Sequence, residues 1–134
     1  MENYIKEKLA EYSANPEPKK KATILLVEPG KRPCIKEIGL DYETLFCVVE
    51  GPFEGFPLDY GVDILCNQYG KVLGLPANRA ILDSEGKPRD IIAGTFIVIG
   101  APEDSEEYRS LTAKEIRKYR KLFLDPVCRW RYVL

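Results

Sequence analysis

The sequence contains no histidine. That absence removes Ser-His-Asp and Cys-His catalysis, the HExxH zinc site and the side chain that titrates nearest neutral pH. Carboxylate, lysine and tyrosine chemistry stay open. No two of the cysteines Cys34, Cys47, Cys66 and Cys128 are close enough to form a CxxC pair. Without histidine a mixed zinc site cannot be completed. Each cysteine lies in an apolar or alternating run, so buried free thiols are expected, with no metal and no cofactor. Asp59, Asp63, Asp83 and Asp90 offer carboxylates, yet their spacing follows no magnesium pattern. A phosphate loop of the GxxxxGK[ST] type is also missing. These absences favour a binding protein over an enzyme.

Long apolar runs are missing too: none reaches the roughly 18 residues of a membrane span. The opening MENYIKEKLAEY is mixed in charge and lacks the apolar stretch of a signal peptide. A cytoplasmic location is therefore expected. The 134 residues are 45% hydrophobic and 31% charged, the profile of one ordinary globular domain. A chain of this size buries roughly two thirds of its unfolded surface and needs neither disulfide nor metal. Net charge is −1, but it is unevenly placed. Residues 112–134 hold seven basic and two acidic residues, a balance of +5, which leaves 13 basic and 19 acidic residues, a balance of −6, elsewhere. Such polarity steers partners or drives head-to-tail association.

Punctuation along the chain predicts an α+β fold, a single domain with a mainly antiparallel sheet covered by helices. Residues 3–13 are predicted helical, with Asn3 as N-cap and Ile5, Leu9 and Tyr12 on one stripe. Ala22–Val27 reads as a strand buried on both faces, Pro29-Gly30 as a type II turn, and Lys31–Ile38 as the antiparallel return, edge-placed because of Pro33. A helix is expected over Asp41–Glu50, capped by Asp41 and burying Leu45, Phe46, Val48 and Val49. Phe53–Leu58 and Val62–Cys66 read as strands, Asp83–Arg89 as a polar loop, and Ile91–Ile99 as one long central strand with a bulge or close approach at Gly94. Glu103–Glu107 reads as an acidic surface loop. Thr112-Ala113-Lys114-Glu115 is a capping box for a helix that buries Ile116, Tyr119 and Phe123 and turns Lys114, Arg117, Lys118 and Lys121 outward. Cys128–Tyr132 alternates like a strand. The expected division is residues 1–21 as helix and linker, 22–126 as core, and 127–134 as a strand-like tail.

The stretch Asn67–Arg79, NQYGKVLGLPANR, is the most individual in the chain. Asn67–Gly70 is expected to turn tightly with Gly70 at positive φ. Val72, Leu73 and Leu75 are expected to be buried, and Pro76 to break whatever precedes it. Asn78 and Arg79 follow as an exposed amide and forked cation suited to an anionic group, with self-capping and ion pairing as the structural alternative.

Val27-Glu28-Pro29-Gly30-Lys31, Asn67, Gly70-Lys71, Gly74-Leu75-Pro76-Ala77-Asn78-Arg79, Ile92-Ala93-Gly94 and Leu111-Thr112 together resemble a family of small uncharacterised proteins of bacteriophages and conjugative elements. In such elements its members can lie near antirestriction genes. The likeness covers roughly residues 22–124 and implies a setting, that of an accessory protein deployed against or alongside host defence. It implies no catalytic residues.

The expected activity is non-enzymatic: binding, and sequestering, a small anionic, nucleotide-like host molecule through Asn67, Lys71, Asn78, Arg79 and Arg89. The competing expectation is a protein–protein inhibitor or antirestriction-like adaptor acting on a host defence protein. The slightly negative charge argues against nucleic acid, although the basic C-terminal region offers phosphate contacts. The amphipathic ends, with Ile5, Leu9 and Tyr12 on one and Trp130 and Tyr132 on the other, make a homodimer the expected assembly.

Overall fold

The computed structural model describes residues 20–126. The predicted N-terminal helix, its linker and the strand-like tail lie outside the described residues. Within them the order is β1 (Lys21–Val27), β2 (Cys34–Gly39), α1 (Tyr42–Val48), β3 (Phe53–Asp59), β4 (Val62–Asn67), β5 (Ala77–Leu82), β6 (Pro88–Ala93), β7 (Phe96–Gly100) and α2 (Ala113–Leu122).

Five strands form one antiparallel sheet in the order β2-β1-β7-β4-β3, and β5 pairs with β6 in a separate two-stranded sheet. Alternation sorts the side chains of the large sheet onto two faces. Leu25, Val27, Val62, Ile64, Phe96 and Val98 face a cluster completed by Ile81 and Ile92 of the hairpin and Tyr119 and Phe123 of α2. Ala22, Ile24, Leu65, Ile97 and Ile99 face Leu45 and Val49 around α1. The result is an α+β domain of three layers: α1, the large sheet, and the hairpin with α2 on the far side. Each buried aliphatic side chain contributes about 1.5–3 kcal/mol, so the strands with apolar residues on both faces, β1, β7 and β4, lie inside and β2 and β3 form the edges.

Several expectations hold in detail. Gly30 has φ +74 and the Lys31 amide donates to the Glu28 carbonyl at 3.2 Å, closing the turn between β1 and β2. Asp41 caps α1, and Thr112 with Glu115 forms the complete capping box of α2. Others change. Ile91–Ile99 is two strands, β6 in the hairpin and β7 in the large sheet, parted at Gly94 and Thr95. Gly94 has φ +87, and a Cβ there would lie 2.8 Å from Leu75 Cδ1. Both strands are buried, so the apolar run hid the break. Residues 77–82 form β5, so the polar pair Asn78-Arg79 lies within a strand. Phe46 is exposed on α1 rather than buried, and Cys34 and Cys47 are exposed, leaving Cys66 as the buried thiol among the described cysteines.

Candidate functional site

Asn78 and Arg79 belong to the core. Their exposures are 0% and 4%, which corrects the expectation of an exposed pair. Asn78 Nδ2 donates to the Val27 carbonyl at 2.8 Å and to the Gly94 carbonyl at 2.9 Å, tying the end of β1 to the β6–β7 junction. Its Oδ1 accepts from Arg79 Nη1 at 2.7 Å. Arg79 Nε donates to the Phe123 carbonyl at 3.1 Å and Nη2 to the Lys31 carbonyl at 2.6 Å. Phe123 is the C-cap of α2, so the guanidinium meets orphan carbonyls at the negative end of a helix dipole. Together the two side chains join the hairpin, the large sheet, the β1–β2 turn and α2. Every donor so used is unavailable to a ligand.

Asn67 is also structural. It is buried at the end of β4, and its Nδ2 donates to the Val49 and Glu50 carbonyls at 3.1 and 3.2 Å, capping α1 from outside the helix. That helix closes with a Schellman motif: the Gly51 amide donates to the Phe46 carbonyl at 2.9 Å and the Glu50 amide to the Cys47 carbonyl at 3.3 Å. The residue in the left-handed position is Glu50, with φ +64. A Cβ at Gly51 would lie 2.8 Å from Asn67 Nδ2, so glycine there makes room for the capping amide.

From Asn67 the chain makes a compact turn to Leu75. Asn67 Oδ1 accepts from the Tyr69 amide at 2.8 Å. The Leu73 amide donates to the Tyr69 carbonyl at 2.9 Å, the Gly74 amide to the Lys71 carbonyl at 3.1 Å and the Leu75 amide to the Gly70 carbonyl at 2.9 Å. This is one helical turn closed by a second Schellman motif, with Gly74 at φ +71. Gly70 is not the residue at positive φ. It is required because a Cβ would lie 2.5 Å from the Ala93 carbonyl oxygen. The turn is thus pressed onto β6, and Lys71 is ion-paired with Asp90 of that strand.

The tip of the turn points into solvent. Val72 is 87% exposed and Leu73 62%, where the sequence had suggested burial, and the Tyr69 ring is about half exposed. Beneath it lies a cleft of about 260 Å³ between the hairpin and the large sheet, lined by Glu54, Phe56, Cys66, Tyr69, Lys71 and Asp90 among others. Burial, helped by Glu54 and Asp90 and opposed by Lys71, pushes the Cys66 thiol up to about 11, so it stays protonated at neutral pH and is a poor nucleophile. Arg89 is not part of the lining, but its guanidinium carbon lies 5.9 Å from the ring centre of Phe56, which is. Of the five expected ligand residues, Lys71 and Asn67 line this cleft, the latter as a helix cap, Arg89 lies outside the lining over the Phe56 ring, and Asn78 and Arg79 lie in the core.

A family model described as a domain of unknown function, DUF3846, matches residues 21–124. The chain belongs to this DUF3846 family. Its match takes in every element from β1 to α2 and stops short of both ends. No match was found among curated proteins or among solved structures. Within the family domain, Tyr69, Val72 and Leu73 are the surface residues that sequence reasoning missed. Their signal was available: apolar residues between two glycines and a proline sit in a turn too short to bury them all. No described helix is long and apolar enough to cross a membrane, and no group of three acidic or cysteine side chains is placed to hold a metal among the described residues.

Proposed function

We propose that this protein is a non-catalytic accessory protein of phage or mobile-element type that engages a host defence protein through the turn Tyr69–Leu75. The observation that carries the reading is the exposure of Val72 and Leu73 on a backbone held by one Schellman motif, the Asn67 side chain and the Lys71–Asp90 pair. Adjacent apolar side chains held out on an ordered turn lose little conformational freedom on binding, which favours their use as anchors in a partner's pocket. Asn67, Gly70 and Gly74 shape the turn, and Asn78 and Arg79 hold the scaffold under it. Full-length protein should capture a stoichiometric host protein in crosslinked lysate, and Val72→Ser/Leu73→Ser should lose it while unfolding at the same denaturant concentration. Undiminished capture by the double variant would end the assignment.

Binding of a small anionic, nucleotide-like molecule is the second reading, and the cleft lined by Lys71 and Phe56, with the Arg89 guanidinium over the Phe56 ring, favours it. An aromatic face flanked by cations suits a planar base carrying phosphate. Calorimetry against nucleotides and cyclic nucleotides should show saturable binding that Lys71→Ala and Arg89→Ala each weaken. A flat panel rejects it.

A further inference from the structure

Helix α2 carries a row of cations on the side turned away from the core. Lys114, Arg117, Lys118 and Lys121 recur at helical spacing and all four are exposed. The opposite side is anchored by Tyr119 and Phe123, both buried, and by Ile116 packed against the same cluster. The row is therefore fixed in direction. At 1.5 Å per residue it runs about 10 Å from Lys114 to Lys121. The one acid within the helix, Glu115, is held by Arg109 through two bonds of 2.7 and 3.1 Å, so it does not neutralise the row. Lys118 is ion-paired to Asp59 at 2.6 Å, while Lys114, Arg117 and Lys121 make no ion pair among the described residues. Arg120 adds a further exposed cation on the flank.

We propose that this face binds the phosphate backbone of duplex nucleic acid. Phosphates on one strand advance about 3.4 Å each along the duplex axis, so a row of this length laid along the axis, with the added reach of its long lysine and arginine side chains, meets about three of them. The helix's aromatic rings are in the core and cannot stack on bases, so recognition rests on phosphates and carries no sequence preference. The overall charge of −1, which argued against nucleic acid for the chain as a whole, does not describe this face, because the acidic excess lies outside residues 112–134. A polar charge distribution of that kind turns α2 toward a polyanion.

Fluorescence anisotropy of full-length protein with labelled 20-base-pair duplexes of two unrelated sequences, from 50 to 200 mM salt, tests it. Equal affinity for both duplexes is expected, with a Kd of about 10⁻⁴ M or tighter at 50 mM salt and a log–log salt slope of about −2.7 for three phosphates. Lys114→Glu/Arg117→Glu/Lys121→Glu should abolish binding with an unchanged circular dichroism spectrum, and Lys114→Gln/Lys121→Gln should flatten the slope by about 1.8. No binding at 50 mM salt, a salt-independent affinity, or binding that survives the triple reversal would overturn the proposal. So would self-association of the protein alone that the triple reversal abolishes, which would assign the row to the acidic loop of a second copy.

Discussion

Arg79 donates to the side-chain oxygen of Asn78, its neighbour in sequence, at 2.7 Å, and this bond lies in the core. Adjacent residues in a regular strand point to opposite faces. The β5–β6 pairing shifts register between Ala77 and Arg79, and this irregularity lets both side chains turn inward. One bond thus orients an amide toward two sheet carbonyls and a guanidinium toward a helix end.

Replacing Glu50 by glycine should stabilise the protein. Glu50 occupies the left-handed region at φ +64, which costs a non-glycine residue about 1–2 kcal/mol, offset in part by glycine's extra freedom in the unfolded chain. A gain of about 0.5–1 kcal/mol is expected in urea unfolding. An unchanged or lowered midpoint would show that the Glu50 side chain makes a compensating contribution.

Acid should weaken the α2 anchor. Hydrogen bonding from Arg109, aided by the Thr112 backbone and against the opposing effect of burial, lowers the Glu115 carboxyl from its ordinary 4.5 to about 2. The folded value is below the unfolded one, so this stability is fully present above pH 4.5 and is lost as pH falls toward 2. Glu115→Gln should be less stable at pH 7 and show a shallower decline across that window. A parallel decline in both proteins would place the acid sensitivity elsewhere.

Thiol chemistry should separate the cysteines. In a Cys128→Ser background, Cys34 and Cys47 should react quickly with an aromatic disulfide reagent, and Cys66 only after unfolding, because it is buried and its thiol is held protonated. Titration of the native protein should therefore count two thiols, rising to three in denaturant. Three fast thiols in the native state would mean that the cleft opens readily.

The fold was largely legible because its signals are local. Proline and glycine marked the β1–β2 turn, and Thr112 with Glu115 marked the start of α2, each acting within four residues. The hairpin was not legible. Asn78 and Arg79 are polar residues whose burial depends on carbonyls at Val27, Lys31, Gly94 and Phe123, remote in sequence, and nothing near them announces those partners. The same distance explains why the ligand role given to Asn67 became a capping role toward Val49 and Glu50. The exposed tip departs in the opposite sense: its apolar residues suggest core, but the turn that bears them leaves Val72 and Leu73 outside.

Asn78 and Arg79 act as a latch for the fold rather than as a binding surface. Urea unfolding of Asn78→Ala measures this. Removing the amide leaves buried carbonyls of Val27 and Gly94 without that donor and the Arg79 guanidinium without one acceptor, at about 1–3 kcal/mol for each unsatisfied group. The latch predicts a loss of about 2–5 kcal/mol, enough to bring a domain of this size close to its unfolding threshold. A variant as stable as the parent would contradict it and return Asn78 and Arg79 to the list of candidate ligand-binding residues.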